Sequence, residues 1–396
     1  MGHEAIPFTP EVLDALPEEI AGLYRSLEAT LLDEICSRLN LAGQLNEVTV
    51  QAIRALRSHG ISQQEIERAI RRTTNISEKK LTELLDDVVE RNQQYYSELI
   101  DITGVTAPQT LLSIEDTYAI YEQTRKTFRN ITQSMAFLVD NGRTLLQPAR
   151  AYQWALDNAV LQVQSGAISY NQAIRSAVKQ LADSGIRVAD YESGHRDQID
   201  VAARRAVMTG VNQLCQKYAE QSEDYLETDL VEVSAHIGAR DTGAGPENHK
   251  GWQGKVYRWS EKPKASYQVY PDFVETTGYG TGPGLGGWNC RHHYFPYIEG
   301  VSERTYTDEQ LAHIDDGHNI DFEDKHYTAY QCTQKQRQIE RTVRKLKREQ
   351  TAYKAAGLTE EEQAVTARIR RLNKEYKAFS EAAGLPMQRE RMRVEY

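Results

Sequence analysis

Residues 11–39, EVLDALPEEIAGLYRSLEATLLDEICSRL, set apolar side chains at Val12, Leu13, Leu16, Ile20, Leu23, Leu27, Leu31 and Ile35. Steps of mostly three and four residues bring these onto one face of a helix, since 3.6 residues complete a turn. Pro17 has no amide proton and its ring crowds the preceding turn, so the spacing fits one helix or two helices broken near that residue. The same pattern continues to about Glu220. Ser62-x-x-Glu65 and Ser169-x-x-Gln172 have the form of capping boxes, in which the hydroxyl accepts a free amide of the first turn. Asn75 or Ser77 reads as the start of a helix buried through Leu81, Leu84, Leu85, Val88 and Val89, and more helices are expected at about 114–139, 147–164 and 195–221.

The pattern changes at about Asp229. Leu230, Val231, Val233 and Ala235 form a strand-like run, and 12 of the 25 glycines and three of the four tryptophans fall between Gly238 and Gly300. That density disfavours long helices and suits turns around aromatic anchors. Thr307-Asp308-Glu309-Gln310 reads as the start of a short helix. From about Lys325 the helical pattern resumes, broken near Gly357 and at Gly384 to Pro386. Within it, Ile339, Val343, Leu346 and Tyr353 stand on a basic background, as in a peripheral or coiled-coil-like helix. The expected fold is mainly α: a long helical body (1–228), a small glycine- and aromatic-rich module, α+β or irregular (229–306), and a connecting segment with a basic helical tail (307–396).

The 396 residues suffice for one large or two to three ordinary domains. No window approaches 18 uncharged apolar residues, and the N-terminus has neither a basic start nor an apolar stretch, so the reading is a soluble intracellular product with no membrane partner. Cys36, Cys215, Cys290 and Cys332 lie far apart with no C-x-x-C pair, which argues against a disulfide framework or a four-cysteine zinc site. Net charge is −10, yet Thr333 to Tyr396 carries 16 Lys+Arg against 9 Asp+Glu. This asymmetry permits contact with nucleic acid or an acidic protein surface; a solvated helix face would have the same composition.

Chemistry concentrates in the module. His236, His249, Cys290, His292 and His293 fall within 58 positions, and imidazole nitrogen and thiolate are the donors tetrahedral zinc prefers. The first choice of ligands for one structural zinc is His236, His249, Cys290 and His292, with His293 as the alternate. The competing reading makes Cys290 a small buried hydrophobe and the histidines hydrogen-bonded turn residues. Two enzymatic arrangements compete with both: a Cys290 thiolate with a histidine base and Asp241 or Glu247 as orienter, and a metal-dependent nuclease built on Asp316-Gly317-His318-Asn319 and Asp324-Lys325-His326. The first lacks the helix context of such nucleophiles. The second lacks the hairpin-then-helix order its chemistry requires. Gly278-Tyr279-Gly280-Thr281-Gly282-Pro283-Gly284 matches neither a phosphate loop nor a dinucleotide fingerprint.

Taken together, His236-x-Gly238-Ala239-Arg240, Asn248-His249-x-x-Trp252-Gln253-Gly254-Lys255-Val256, Thr277-Gly278-Tyr279-Gly280 and Asn289-Cys290-Arg291-His292 resemble the phage minor capsid protein 2 family, itself similar to Mu F-type head-morphogenesis proteins. Arg205 to Gln213, Tyr306 to Leu311 and Tyr330 to Arg344 extend the resemblance to about two thirds of the chain. The Mu F-type signature ends in Asn-Cys-Arg-Cys or Asn-Cys-Arg-His; against the first form, His292 in the last position keeps a nitrogen donor while changing the ligand set. The resemblance implies a low-copy structural protein without catalytic activity, in the virion at the capsid interior or portal vertex and in the host cytoplasm during assembly. Its implied partners are the phage portal protein and other capsid or scaffolding proteins; the basic tail adds packaged DNA, through phosphate contacts that read no sequence. The rivals from other classes are a phage-encoded enzyme or toxin using the Cys/His module and an internal DNA-binding protein.

Overall fold

Thr9 and Pro10 start the first helix: the Thr9 hydroxyl accepts the Val12 amide at 3.3 Å, and a proline in the first turn sacrifices no helical hydrogen bond. The computed structural model describes residues 7–43, 63–140, 142–164, 170–189, 196–259, 269–287 and 290–394. In chain order the body comprises α1 (Pro10–Ala15), α2 (Glu18–Gly43), α3 (Gln63–Ile102), α4 (Ile114–Gln133), β1 (Met135–Val139), β2 (Thr144–Leu146), α5 (Pro148–Gln164), α6 (Tyr170–Ser184), β3 (Ile186–Ala189), β4 (Arg196–Gln198) and α7 (Ile199–Leu226). The module holds β5 (Leu230–Val233), α8 (His249–Trp252), β6 (Val256–Arg258), α9 (Phe273–Thr277) and β7 (Tyr294–Tyr297). After it come α10 (Asp308–Ala312), β8 (Ile320–Phe322), β9 (Lys325–Tyr327), α11 (Ala329–Ala355), α12 (Thr359–Ala382) and a single 3-10 turn at Arg389–Met392. The chain is mainly α-helical, with small antiparallel sheets.

Of the two readings of this stretch, the structure has the broken one: Pro17 falls between α1 and α2. Other boundaries differ. Asn75 and Ser77 start nothing: α3 runs unbroken from Gln63 to Ile102, and Ser77 donates to the Thr74 carbonyl at 2.9 Å while its oxygen lies 3.2 Å from the Tyr24 hydroxyl. A serine whose hydroxyl bonds back into its own helix does not end it. The helix expected to reach 139 stops at Gln133, and MAFLV becomes β1, pairing Met135 with Val188 and Phe137 with Ile186. A short apolar run fits a buried strand and a buried helix end equally well, and here sheet pairing decides. Helical structure resumes at Ala329 and not Lys325, because β8 and β9 form a hairpin first. Ser62 and Ser169 lie outside the described residues.

α7 is the central helix of the body, packed against α2, α3 and α4 and touching β3, β4 and β7. Its buried side includes Ala202, Ala203, Ala206, Val207, Gly210, Val211 and Leu214. Small residues there let neighbours approach closely: a Cβ on Gly210 would lie 2.5 Å from Thr124 Oγ1. α11 is not peripheral. It packs on α2, α6 and α12, and Ile339, Val343, Leu346 and Tyr353 join a core cluster shared with Leu31 and Leu214 of the body and Trp252 and Tyr294 of the module.

Several arginines of the last 64 residues are used internally. Asp14, 4% exposed, receives Arg204 and Arg391 at 2.6 Å and Arg337 at 2.9 Å, with Arg291 Nη1 at 3.8 Å and the Gln388 amide at 3.3 Å. Arg344 pairs with Asp200 at 3.2 Å and Arg348 with Glu28 at 3.6 Å. The C-terminal turn is fastened by its carbonyls: Lys347 donates to Met392 O at 2.6 Å, Arg344 to Arg391 O at 3.0 Å and Arg25 to Arg393 O at 3.0 Å.

Candidate metal centre

The module is built on the sheet β6-β5-β7, in which β5 is central and pairs antiparallel with both neighbours. Leu230, Val231 and Val233 are fully buried, so β5 alternates little and reads as the interior strand it is. Trp259, Phe273, Tyr279 and Tyr294 pack together with ring centroids 4.7 to 5.5 Å apart, in tilted and edge-on geometries that aromatic quadrupoles favour. The glycine loop closes on its own backbone: a Cβ on Gly284 would lie 2.1 Å from the Gly278 carbonyl oxygen, and one on Gly287 2.1 Å from that of Gly282. Close backbone approach, and not ligand binding, accounts for those two glycines. Trp288 and Asn289 lie outside the described residues.

Three of the expected ligands meet. His249, the first residue of α8, comes together with Cys290 and His292 so that one donor atom from each lies within 4.8 Å of the others, and all three are buried. Cys290 Sγ is 3.6 Å from His292 Nδ1. Gln253 Oε1 accepts the His236 amide at 3.0 Å, which fixes its oxygen as the acceptor also facing His292 Nε2 at 3.1 Å. His249 Nε2 faces the Pro283 carbonyl at 2.9 Å. Both rings therefore carry their proton on Nε2 and leave Nδ1 with the lone pair. An oxygen acceptor on the far nitrogen is the arrangement that orients metal-ligating histidines.

His236 and His293 stand differently. The His236 ring stacks on His292 at 4.4 Å between centroids, but its donor atoms are not in the three-residue group; its Nδ1 lies 2.9 Å from the Ile237 carbonyl, with Arg291 Nη2 at 3.2 Å. His293 is buried outside that group, its ring nitrogens without a hydrogen-bond partner among the described residues. Burial makes all four imidazoles hard to protonate: it lowers His236 to about 3, His249 to about 4 and His293 to about 4, and His292 well below its ordinary value, with His236, His249 and Arg291 adding repulsion there. Burial also pushes the Cys290 thiol up. Neutral imidazoles are ready to ligate, whereas a buried thiol of this kind is a poor nucleophile until a cation replaces its proton.

Of the rival constellations, the first has its Cys290–His292 contact at 3.6 Å, while other groups named for them have different partners. Asp241 pairs with Lys250 at 3.6 Å. Asp316 bonds His313 at 2.7 Å, Asp321 bonds His326 at 2.9 Å, and His318 donates to the Ala383 carbonyl at 2.8 Å. Asn319 accepts the Ala329 amide at 2.9 Å and so helps start α11. A hollow of about 460 Å³ lies elsewhere, between α6, α11 and α12, where Lys345 pairs with Asp183 at 3.0 Å. All four cysteines are free and buried. No described helix is long and apolar enough to cross a membrane. Gln253 and Arg291 stand in the sequence only as parts of longer phrases; a single Gln or Arg announces no role until the group it faces is known.

The sequence profile of a family described as phage minor capsid protein 2 matches residues 8–381. A structural protein of Lactococcus phage LL-H is 25% identical over 287 residues, covering 70% of this chain and 71% of that protein. No solved structure matches.

Proposed function

Because the chain belongs to the phage minor capsid protein 2 family and has a structural role in the capsid, we propose that it docks at the portal or the inner capsid shell during procapsid assembly, with one structural zinc bracing the module. The observation that carries the structural reading of the Cys/His group is its burial: His249, Cys290 and His292 are each 2–3% exposed, which leaves no approach for a substrate. Closed surroundings are the mark of structural zinc, while catalytic zinc keeps an open position. His249, Cys290 and His292 would hold the ion, with His236 or His293 as candidate fourth ligand. The ion would supply cohesion, tying α8 to the segment before β7.

The same reading gives the basic tail a narrower contact with packaged DNA. Arg337, Arg344, Arg348 and Arg391 are engaged with buried carboxylates, whereas Arg370, Arg371, Lys374 and Lys377 of α12 are exposed. Their spacing of three and four residues groups them on one side of the helix, where they would meet phosphates. The test of the main proposal is co-expression with the phage's portal protein, read by size exclusion with light scattering. Co-elution at a fixed ratio through moderate salt is the expected result; clean separation, repeated with procapsids present, overturns it. Metal analysis giving well below one equivalent of zinc, with melting unchanged by chelator, overturns the zinc.

A further inference from the structure

We infer that the loop end of the α3–α4 helical hairpin is the surface through which this protein docks, and that its occupant is a protein surface with an apolar hollow fringed by lysine or arginine. On the docking proposed above, on which this inference rests, the portal ring presents that surface.

Three observations meet there. Ile102, Val105, Ile114 and Tyr118 are 75%, 42%, 86% and 61% exposed, four of the twelve large apolar side chains left open among the described residues, and they fall within 17 positions. Ile114 and Tyr118 are one helical turn apart, on the side of α4 away from Ile120, which is buried. Clustered apolar exposure marks an interaction site where scattered exposure does not.

The charge around the patch has one sign. From Asn92 to Thr124 there is no Lys, Arg or His, while Glu98, Asp101, Glu115 and Asp116 are present; Glu122, farther along α4, is paired with Arg125 at 2.9 Å, and the chain as a whole carries a Lys or Arg at about one position in eight. This excludes nucleic acid as the occupant, because phosphates would meet carboxylates. It also disfavours a second copy, since a two-fold contact sets the same acidic patch against itself. A cationic rim is what remains, and complementary charge of this kind speeds encounter and selects partners.

The surface is also preformed. Gln93 Oε1 accepts the Leu111 amide at 2.8 Å, Asp101 Oδ1 accepts the Ala107 amide at 3.0 Å and Ser113 Oγ accepts the Asp116 amide at 3.0 Å. Leu111 and Leu112 are buried beneath the loop. A loop tied at both ends and in its middle loses little freedom on binding.

The test uses the full chain with the portal protein and two double variants, Ile114→Ser with Tyr118→Ser, and Glu98→Lys with Glu115→Lys; Arg71→Ala with Arg72→Ala, exposed near the other end of α3, is the control. Both hairpin variants should melt within a few degrees of wild type, since none of the four side chains is buried. The expected result is at least tenfold weaker portal binding for each and no loss for the control, with the wild-type association rate falling as salt rises. Wild-type binding matched within twofold by both hairpin variants overturns this inference and leaves portal docking standing. No wild-type binding overturns both. Self-association that is lost in the Ser variant while portal binding persists assigns the patch to a second copy and also overturns the inference.

Discussion

Replacing Asp14 by Asn tests whether the ends of the chain are held together by charge. The carboxylate takes hydrogen bonds from Arg204 at 2.6 Å and Arg337 at 2.9 Å and is ion-paired with Arg391 at 2.6 Å, which also donates to the Asp14 backbone carbonyl at 3.3 Å. A bond to a charged group contributes about 1.5–3 kcal/mol. The carboxamide of the D14N variant keeps one neutral acceptor oxygen. Glu18 remains 3.4 Å from Arg204 and Glu340 3.1 Å from Arg337, but Arg391, 7% exposed, has no second carboxylate partner among the described residues. Removing one partner of a buried ion pair costs about 3–5 kcal/mol, and D14N should lose that much in urea unfolding. Limited proteolysis should then cut first between 385 and 394. The pH dependence gives a second reading. Burial alone would raise the Asp14 pKa, but Arg337, Arg204 and Arg291, with the Gln388 amide, outweigh it and hold it below the ordinary value. The stability it contributes is complete above about pH 4 and fades as pH falls through and below that value, so the gap between wild type and D14N should close in acid. A loss below about 1 kcal/mol, or a gap independent of pH, refutes the reasoning.

Other outcomes follow from particular groups. Purified wild type should carry about one equivalent of zinc; Cys290→Ala and His292→Ala should each abolish it and lower the melting temperature to that of chelated wild type, as read by metal analysis and calorimetry. Burial, with Glu220, Asp229 and Asp224 nearby, pushes the Glu223 carboxyl up to about 8; the folded chain keeps a proton there that the unfolded chain has released, so stability falls as pH rises from about 4.5 to 8, and Glu223→Gln should flatten that slope in urea titrations across the range. Gly284→Ala drives a Cβ to 2.1 Å from the Gly278 oxygen and 2.7 Å from the Thr277 oxygen, both rigid backbone, and should cost at least about 1–3 kcal/mol by the same assay. Neutralising Arg370, Arg371, Lys374 and Lys377 should reduce the slope of log affinity for duplex DNA against log salt by about 3 to 4, measured by fluorescence anisotropy.

What could be read from the sequence depended on the distance over which the signal acts. The punctuation at Pro17, the helix start at Thr307 and the strand at Leu230 to Val233 were legible because each is set within a few residues. β1 was not, since MAFLV has no period of its own; it is a strand through its pairing with β2 a few residues on and with Ile186 to Val188 some fifty positions on. Among the site residues, type and clustering singled out His249, Cys290 and His292, which meet, and equally His236, which stacks beside them, and His293, which stays apart. Nothing local distinguishes these cases. Arg291 shows the limit from the other side: it stands between two candidate ligands, yet its partner Asp14 is 277 positions away, and only the completed fold pairs them.

Asp14 has a bearing on synthesis. Arg204 follows it by 190 positions, Arg337 by 323 and Arg391 by 377, so during translation its cations arrive in steps. Contacts of such sequence separation form late. A chain made only as far as Arg204 therefore holds this carboxylate with one of its cations, and the turn at Arg389–Met392 adds another only once it has been made.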